Sequence, residues 1–115
     1  MTHTVYFSLG SNLGDRRQNL RAAISRLEAA SVQLSALSPV YETEPWGLAE
    51  QPAFLNLAAG GTTTLEPVAL LHLLKQIESD LGRQPAERWG PRLIDIDLLF
   101  YDDLVLDGEE LAVPH

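Results

Sequence analysis

The chain has 115 residues, the size of one ordinary domain and enough to bury a core without staples. Its 45% hydrophobic and 21% charged residues exclude disorder, and the absence of cysteine excludes disulfides, thiolate zinc sites and thiol catalysis. A formal net charge of −8 weighs against a general binder of nucleic acid or anionic membrane.

Residues 4–9 alternate, with Val5, Phe7 and Leu9 on one face, and predict a strand. Gly10-Ser11-Asn12-Leu13-Gly14 is a loop, and Asp15 suits the N-cap of a helix. That helix runs from Arg16 to about Ala30. Leu20, Ala23, Ile24 and Leu27 form its apolar stripe, with the arginines mostly off it. A second strand spans 31–41, with Val32, Leu34 and Ala36 on one face, and Pro39 marks an edge or a bulge. Residues 42–53 predict a loop. A third strand covers 54–63, where Leu55, Leu57 and Ala59 face one way and Phe54, Asn56 and Ala58 the other. A second helix runs from Pro67 to Leu81 on the stripe Leu70, Leu74, Ile77 and Leu81, with Gly82 as its C-terminal cap. Residues 83–92 are a polar loop, 93–101 a fourth strand, and 104–112 a short hairpin around Asp107-Gly108.

Repeats and interdomain linkers are absent, so residues 1–115 read as a single domain. The order βαββαβ predicts an α+β, ferredoxin-like sandwich: an antiparallel sheet with both helices packed on one face. Such a fold hosts unrelated activities, so function is argued from the site. No apolar run approaches the roughly 18 residues of a membrane span, and the start is no signal peptide. The expected compartment is the cytoplasm, with neither membrane nor nucleic acid as partner.

The basic residues are unevenly placed. Seven of the eight are arginine, and Arg83, Arg88 and Arg92 fall within one short loop. From Leu93 onward there is no Lys or Arg, but there are seven acids. Within the fourth strand Ile94, Ile96 and Leu98 share the core-facing side, so Asp95 and Asp97 share the other. Two residues of strand rise separate their Cα atoms by about 6–7 Å. Carboxylates that close either grip a hard cation such as Mg²⁺ or stand as solvated acids. Neighbouring arginines suit phosphate, so metal-nucleotide chemistry and plain salt bridging both fit. Trp89, between Arg88 and Gly90, either anchors its loop or stacks on a flat ligand. Asn56 can read the edge of a heterocycle or serve backbone groups. No Ser-His-Asp set or metal-binding His set is visible, and Gly10–Gly14 is not a P-loop.

Taken in order, the motifs resemble a known family. Arg88-Trp89-Gly90-Pro91-Arg92-Leu93-Ile94-Asp95-Ile96-Asp97-Leu98-Leu99 is similar to the signature of the 6-hydroxymethyl-7,8-dihydropterin pyrophosphokinases of folate biosynthesis. Gly10–Asp15, Tyr41–Gly47, Gln51–Asn56, Leu81-Gly82-Arg83 and Val113-Pro114-His115 support it along the whole chain. The resemblance implies transfer of the β,γ-diphosphate of ATP to the hydroxymethyl oxygen of the pterin, with release of AMP. It implies two Mg²⁺ ions on Asp95 and Asp97, which would activate the hydroxyl without a protein base. Arg83 and Arg92 would be catalytic, neutralising charge on the moving diphosphoryl group. Arg88, Trp89, Arg92 and His115 would bind nucleotide. Thr43, Pro45, Trp46, Phe54 and Asn56 would form the pterin pocket. ATP and hydroxymethyl-dihydropterin are the expected partners of a monomer.

Two departures from the family pattern qualify these expectations. Pro85 stands where many members carry an arginine, which removes a phosphate contact and stiffens the loop. Members of the family also continue past the Pro-His pair, with a further nucleotide-binding arginine and an aromatic that closes on the pterin. The expectation is thus a pyrophosphokinase core lacking that segment. The alternative is a truncated, impaired domain that binds Mg-ATP or pterin without efficient turnover.

Overall fold

The computed structural model describes residues 1–43, 53–82 and 93–103. Its elements are β1 (His3–Ser11), α1 (Arg16–Ala29), β2 (Val32–Leu37), β3 (Tyr41–Thr43), β4 (Phe54–Thr63), α2 (Pro67–Asp80) and β5 (Asp95–Tyr101). The strands form one sheet in the order β2-β4-β1-β5, and β3 pairs with β4. Every pairing among the described residues is antiparallel. Each helix joins two strands that flank a third, so two crossovers interlock around the central pair β1 and β4. This is the expected α+β ferredoxin-like sandwich.

The alternation of apolar residues sets the layers. Val5, Phe7 and Leu9 of β1, Leu55, Leu57 and Ala59 of β4, and Ile96 and Leu98 of β5 are all buried. They join one cluster with Leu20, Ala23 and Leu27 of α1 and Leu70, Leu74 and Ile77 of α2. Each such side chain contributes about 1.5–3 kcal/mol on burial. Asp15 caps α1 by accepting from the Gln18 amide at 3.1 Å. Gly82 adopts φ +101 just past the end of α2, as its proposed cap role requires.

The edge beside β4 differs in detail from the expectation. The strand predicted over 31–41 is two pieces, β2 and β3, laid end to end along β4. A bulge between Leu34 and Ala36 shifts the register of β2, so Ala36 is exposed instead of sharing the buried face of Val32. Pro39 separates the pieces, because proline has no N–H to give the ladder. Ser38 takes over there: its amide donates to the Ala58 carbonyl at 2.8 Å, and its hydroxyl accepts from the Ala58 amide at 2.8 Å. Residues 42 and 43, read as loop, are strand. The hairpin expected over 104–112 lies outside the described residues.

Candidate active site

Among the described residues the helices cover one face of the sheet and leave the other open, and the expected site residues that are described lie on that other face. On β1, Tyr6, Ser8 and Gly10 point there, opposite to Phe7 and Leu9. Register then decides the neighbours. Asp97 lies across from Ser8, and Asp95 lies across from Gly10. On the other side of β1, Gly10 lies across from Asn56. Asn56 in turn lies across from Tyr41, and Phe54 across from Thr43. Asp95, Gly10, Asn56 and Tyr41 therefore form one row across four strands. Strands sit about 4.8 Å apart, so the Asp95 and Asn56 backbones are about 10 Å apart with a glycine between them.

Five of the expected site residues are described: Thr43, Phe54, Asn56, Asp95 and Asp97. All five belong to one end of the open face. The Asn56 amide donates to the Thr43 hydroxyl at 2.7 Å, which links two expected pterin contacts directly. That bond turns Asn56 Oδ1 toward Gly10, where a Cβ would stand only 2.8 Å from it. Gly10 has no positive φ, so its lack of a side chain serves space rather than backbone conformation. Pro45, Trp46, Arg83, Arg88, Trp89, Arg92 and His115 lie outside the described residues.

Asp95 and Asp97 are half-buried and alternate with Ile94, Ile96 and Leu98, which are buried at 0%, 6% and 3% exposure. Among the described residues no group of three or more His, Cys, Asp or Glu gathers to form a closed metal cage. A pair of hard carboxylate donors on an open face suits Mg²⁺, which keeps waters and takes substrate phosphate oxygens as its remaining ligands. The donor set thus fits a metal delivered with a nucleotide rather than one held permanently.

Three supporting residues escaped the sequence reading. Glu78 of α2 is 5% exposed, and its Oε2 accepts from the Ile96 amide at 2.8 Å. Ile96 sits between the two aspartates on β5, an edge strand among the described residues, and Glu78 accepts its amide there in place of a strand partner. Its signal was present: 78 continues the buried spacing 70, 74, 77. Asn19 donates to Ser11 Oγ at 3.1 Å and to the Leu13 carbonyl at 2.8 Å, which braces the loop that follows Gly10. Arg16 Nη1 donates to Glu42 Oε2 at 3.1 Å and to the Ala53 carbonyl at 2.7 Å. Nothing in helical periodicity marks either residue, because both reach outside their own helix.

Comparison with known proteins adds an independent finding. A family model described as 7,8-dihydro-6-hydroxymethylpterin-pyrophosphokinase matches residues 6–115. The chain is 44% identical to a 2-amino-4-hydroxy-6-hydroxymethyldihydropteridine pyrophosphokinase of Bacillus subtilis, over 100% of the chain and 70% of that relative. It is 44% identical to a protein of the same name from Aquifex aeolicus, over 97% of the chain and 69% of the relative. It is also 42% identical to a mitochondrial folate synthesis bifunctional protein of Arabidopsis thaliana, over 98% of the chain but 20% of that longer protein.

Proposed function

The chain belongs to the 7,8-dihydro-6-hydroxymethylpterin-pyrophosphokinase family, and from that premise we propose how its residues divide the work. The family activity is ATP-dependent transfer of diphosphate to hydroxymethyldihydropterin in folate biosynthesis, with AMP as the other product. Its members use ATP with Mg²⁺. The observation that carries the residue assignment is the row Asp95, Gly10, Asn56. The Asp95 and Asn56 backbones there stand about 10 Å apart across a glycine, which supports a reading with metal on one side and the ring edge on the other.

In this reading Asn56 and Thr43 read the polar edge of the pterin, and Phe54 lies against its face. The ring lies along the row, so its hydroxymethyl arm extends across Gly10 toward Asp95 and Asp97. Those two carboxylates would hold two Mg²⁺ ions brought with ATP, which would supply charge neutralisation and a more acidic hydroxyl. Asp95 and Asp97 thereby orient nucleotide against acceptor. Arg83 and Arg92 neutralise the charge that spreads over the diphosphoryl group as it moves. Arg88, Trp89 and His115 hold the nucleotide, and Pro45 and Trp46 complete the pterin pocket. The protein works as a monomer in the cytoplasm.

The test is direct. The chain is incubated with ATP, Mg²⁺ and 6-hydroxymethyl-7,8-dihydropterin, and AMP is measured. Formation of AMP that needs both Mg²⁺ and pterin is expected. No AMP above background refutes turnover by this chain. Turnover that survives Asp97→Ala unchanged refutes the metal assignment.

A further inference from the structure

Arg16, in the first turn of α1, makes bonds that none of the expected substrate contacts uses. One nitrogen, Nη1, serves both Glu42 Oε2 and the Ala53 carbonyl. Glu42 is the β3 residue next to Thr43, and Ala53 immediately precedes Phe54 of β4. A single guanidinium therefore holds the two chain ends that run into and out of residues 44–52. Among the described residues, the other ties of this strand are its short ladder with β4 and the packing of Val40 just before it. Among the described residues β3 is three residues long, all three are exposed, and it pairs with β4 over Phe54–Asn56. A strand with no buried side chain gains almost nothing from the hydrophobic effect. Yet the bond from Asn56 to Thr43 exists only while β3 stays in register. Charge-assisted bonds are the stronger kind, and Arg16 is only 31% exposed.

We propose that Arg16 is a positioning residue for the pterin side of the site. By clamping Glu42 and Ala53 it fixes Thr43 beside Phe54 and so aims the Asn56 amide at the ring edge. Arg16 touches no substrate. Its partner is the acceptor pocket and not the nucleotide, which distinguishes it from Arg83 and Arg92. The inference rests on the pterin pocket proposed above.

The experiment compares Arg16→Ala, Arg16→Lys and Asn56→Ala in the full chain. Steady-state kinetics give KM for pterin and kcat, and calorimetric titration with the α,β-methylene analogue of ATP and Mg²⁺ gives nucleotide affinity. Arg16→Ala should raise the pterin KM about tenfold, the weight of one charge-assisted bond. Its kcat at saturating pterin and its affinity for the ATP analogue should stay within about twofold of the parent. Arg16→Lys keeps the charge without the planar fork and should recover part of the loss. Glu42→Gln keeps an acceptor without its charge and serves the same comparison if Arg16→Ala does not fold. An unchanged pterin KM in Arg16→Ala overturns the proposal, and so does an equal loss of pterin and nucleotide affinity. If Asn56→Ala raises the pterin KM while the Arg16 variants do not, the pocket stands and the role of Arg16 falls. If Asn56→Ala is also without effect, the pocket itself is wrong and the inference falls with it.

Discussion

Gly10 and Gly61 both sit inside the sheet, yet replacing each with alanine should have different consequences. At Gly10 a Cβ would meet Asn56 Oδ1 at 2.8 Å and Phe54 Cδ1 at 3.3 Å. Both obstacles are side-chain atoms, and a shift of about 0.5 Å restores ordinary C···O contact. Mild overpacking costs about 1–2 kcal/mol. The lost backbone freedom of the unfolded chain offsets about 0.5–1 kcal/mol of that. Gly10→Ala should therefore lower stability by no more than about 1.5 kcal/mol, within the spread of ordinary substitutions. Its effect on function should be larger. The methyl group occupies the floor between Asn56 and Asp95 and displaces the amide, so the pterin KM should rise about tenfold. At Gly61 a Cβ would run into the Gln33 carbonyl oxygen, which belongs to the backbone of β2. No rotamer relieves that contact. The two strands must part by about 1 Å or more, which breaks the ladder on that edge, at a cost of about 3 kcal/mol. Urea unfolding of both variants, with slopes compared for two-state behaviour, measures the first quantity. Initial rates against pterin concentration measure the second. A parental pterin KM in Gly10→Ala would refute the idea that substrate lies over that glycine. Equal stability of the two variants would refute the distinction between side-chain and backbone obstacles.

Other expectations concern single groups. Asp97→Ala should abolish Mg²⁺-dependent turnover while the urea midpoint moves by no more than about 1 kcal/mol equivalent, since the side chain lies opposite the core stripe; unfolding of the variant would contradict this. Tyr101 is fully buried and its hydroxyl donates to the Leu65 carbonyl at 2.6 Å, so Tyr101→Phe should cost about 1 kcal/mol in urea unfolding. Burial first, and then the charges of Glu66 and Asp102, push the Tyr101 phenol above its ordinary value. The native state disfavours its ionised form, so this stability is present below about pH 10 and is lost as pH rises beyond it. Tyr101→Phe should accordingly flatten the alkaline limb of the stability profile. The hydrogen bond from His3, and then that from the Thr4 amide, hold Asp102 below the usual carboxylate range. Its contribution is present above about pH 4 and disappears as pH falls below that. Asp102→Asn should lose less stability than the parent between about pH 5 and pH 3, and parallel profiles would argue against the assignment.

Much of this architecture was legible because burial writes a period into the chain. Val5, Phe7 and Leu9 alternate, as do Leu55, Leu57 and Ala59, and all six proved to face the core. The stripe of α2 was correct at Leu70, Leu74 and Ile77 for the same reason. Asp95 and Asp97 were assigned to the open face from alternation alone, and the isoleucines between and beside them are buried. The bulge near Ser35 was not legible as to position, because an extra residue in a strand depends on what its neighbour strand needs. Arg16 and Asn19 escaped because their partners, Glu42, Ala53, Ser11 and Leu13, are set by the tertiary fold and leave no local signature. Glu78 was overlooked for a different reason. A carboxylate on an apolar stripe reads as a surface residue until a backbone donor such as Ile96 N is seen to meet it.

The join at Ser38 and Pro39 divides one edge of the sheet into two pieces with separate allegiances. β2 is tied to the core through the buried Val32 and a five-pair ladder with β4. β3 is tied to Asn56 through Thr43 and to Arg16 through Glu42, the side proposed for substrate. A continuous strand would force both to open and close together. Because a serine hydroxyl replaces a peptide group at the junction, the cooperativity of the ladder is interrupted there. Slow amide exchange should therefore extend along β2 and fall off abruptly after Ser38. If β3 orders around the proposed acceptor, that free energy is confined to the short piece, and the hydrophobic interior is insulated from it.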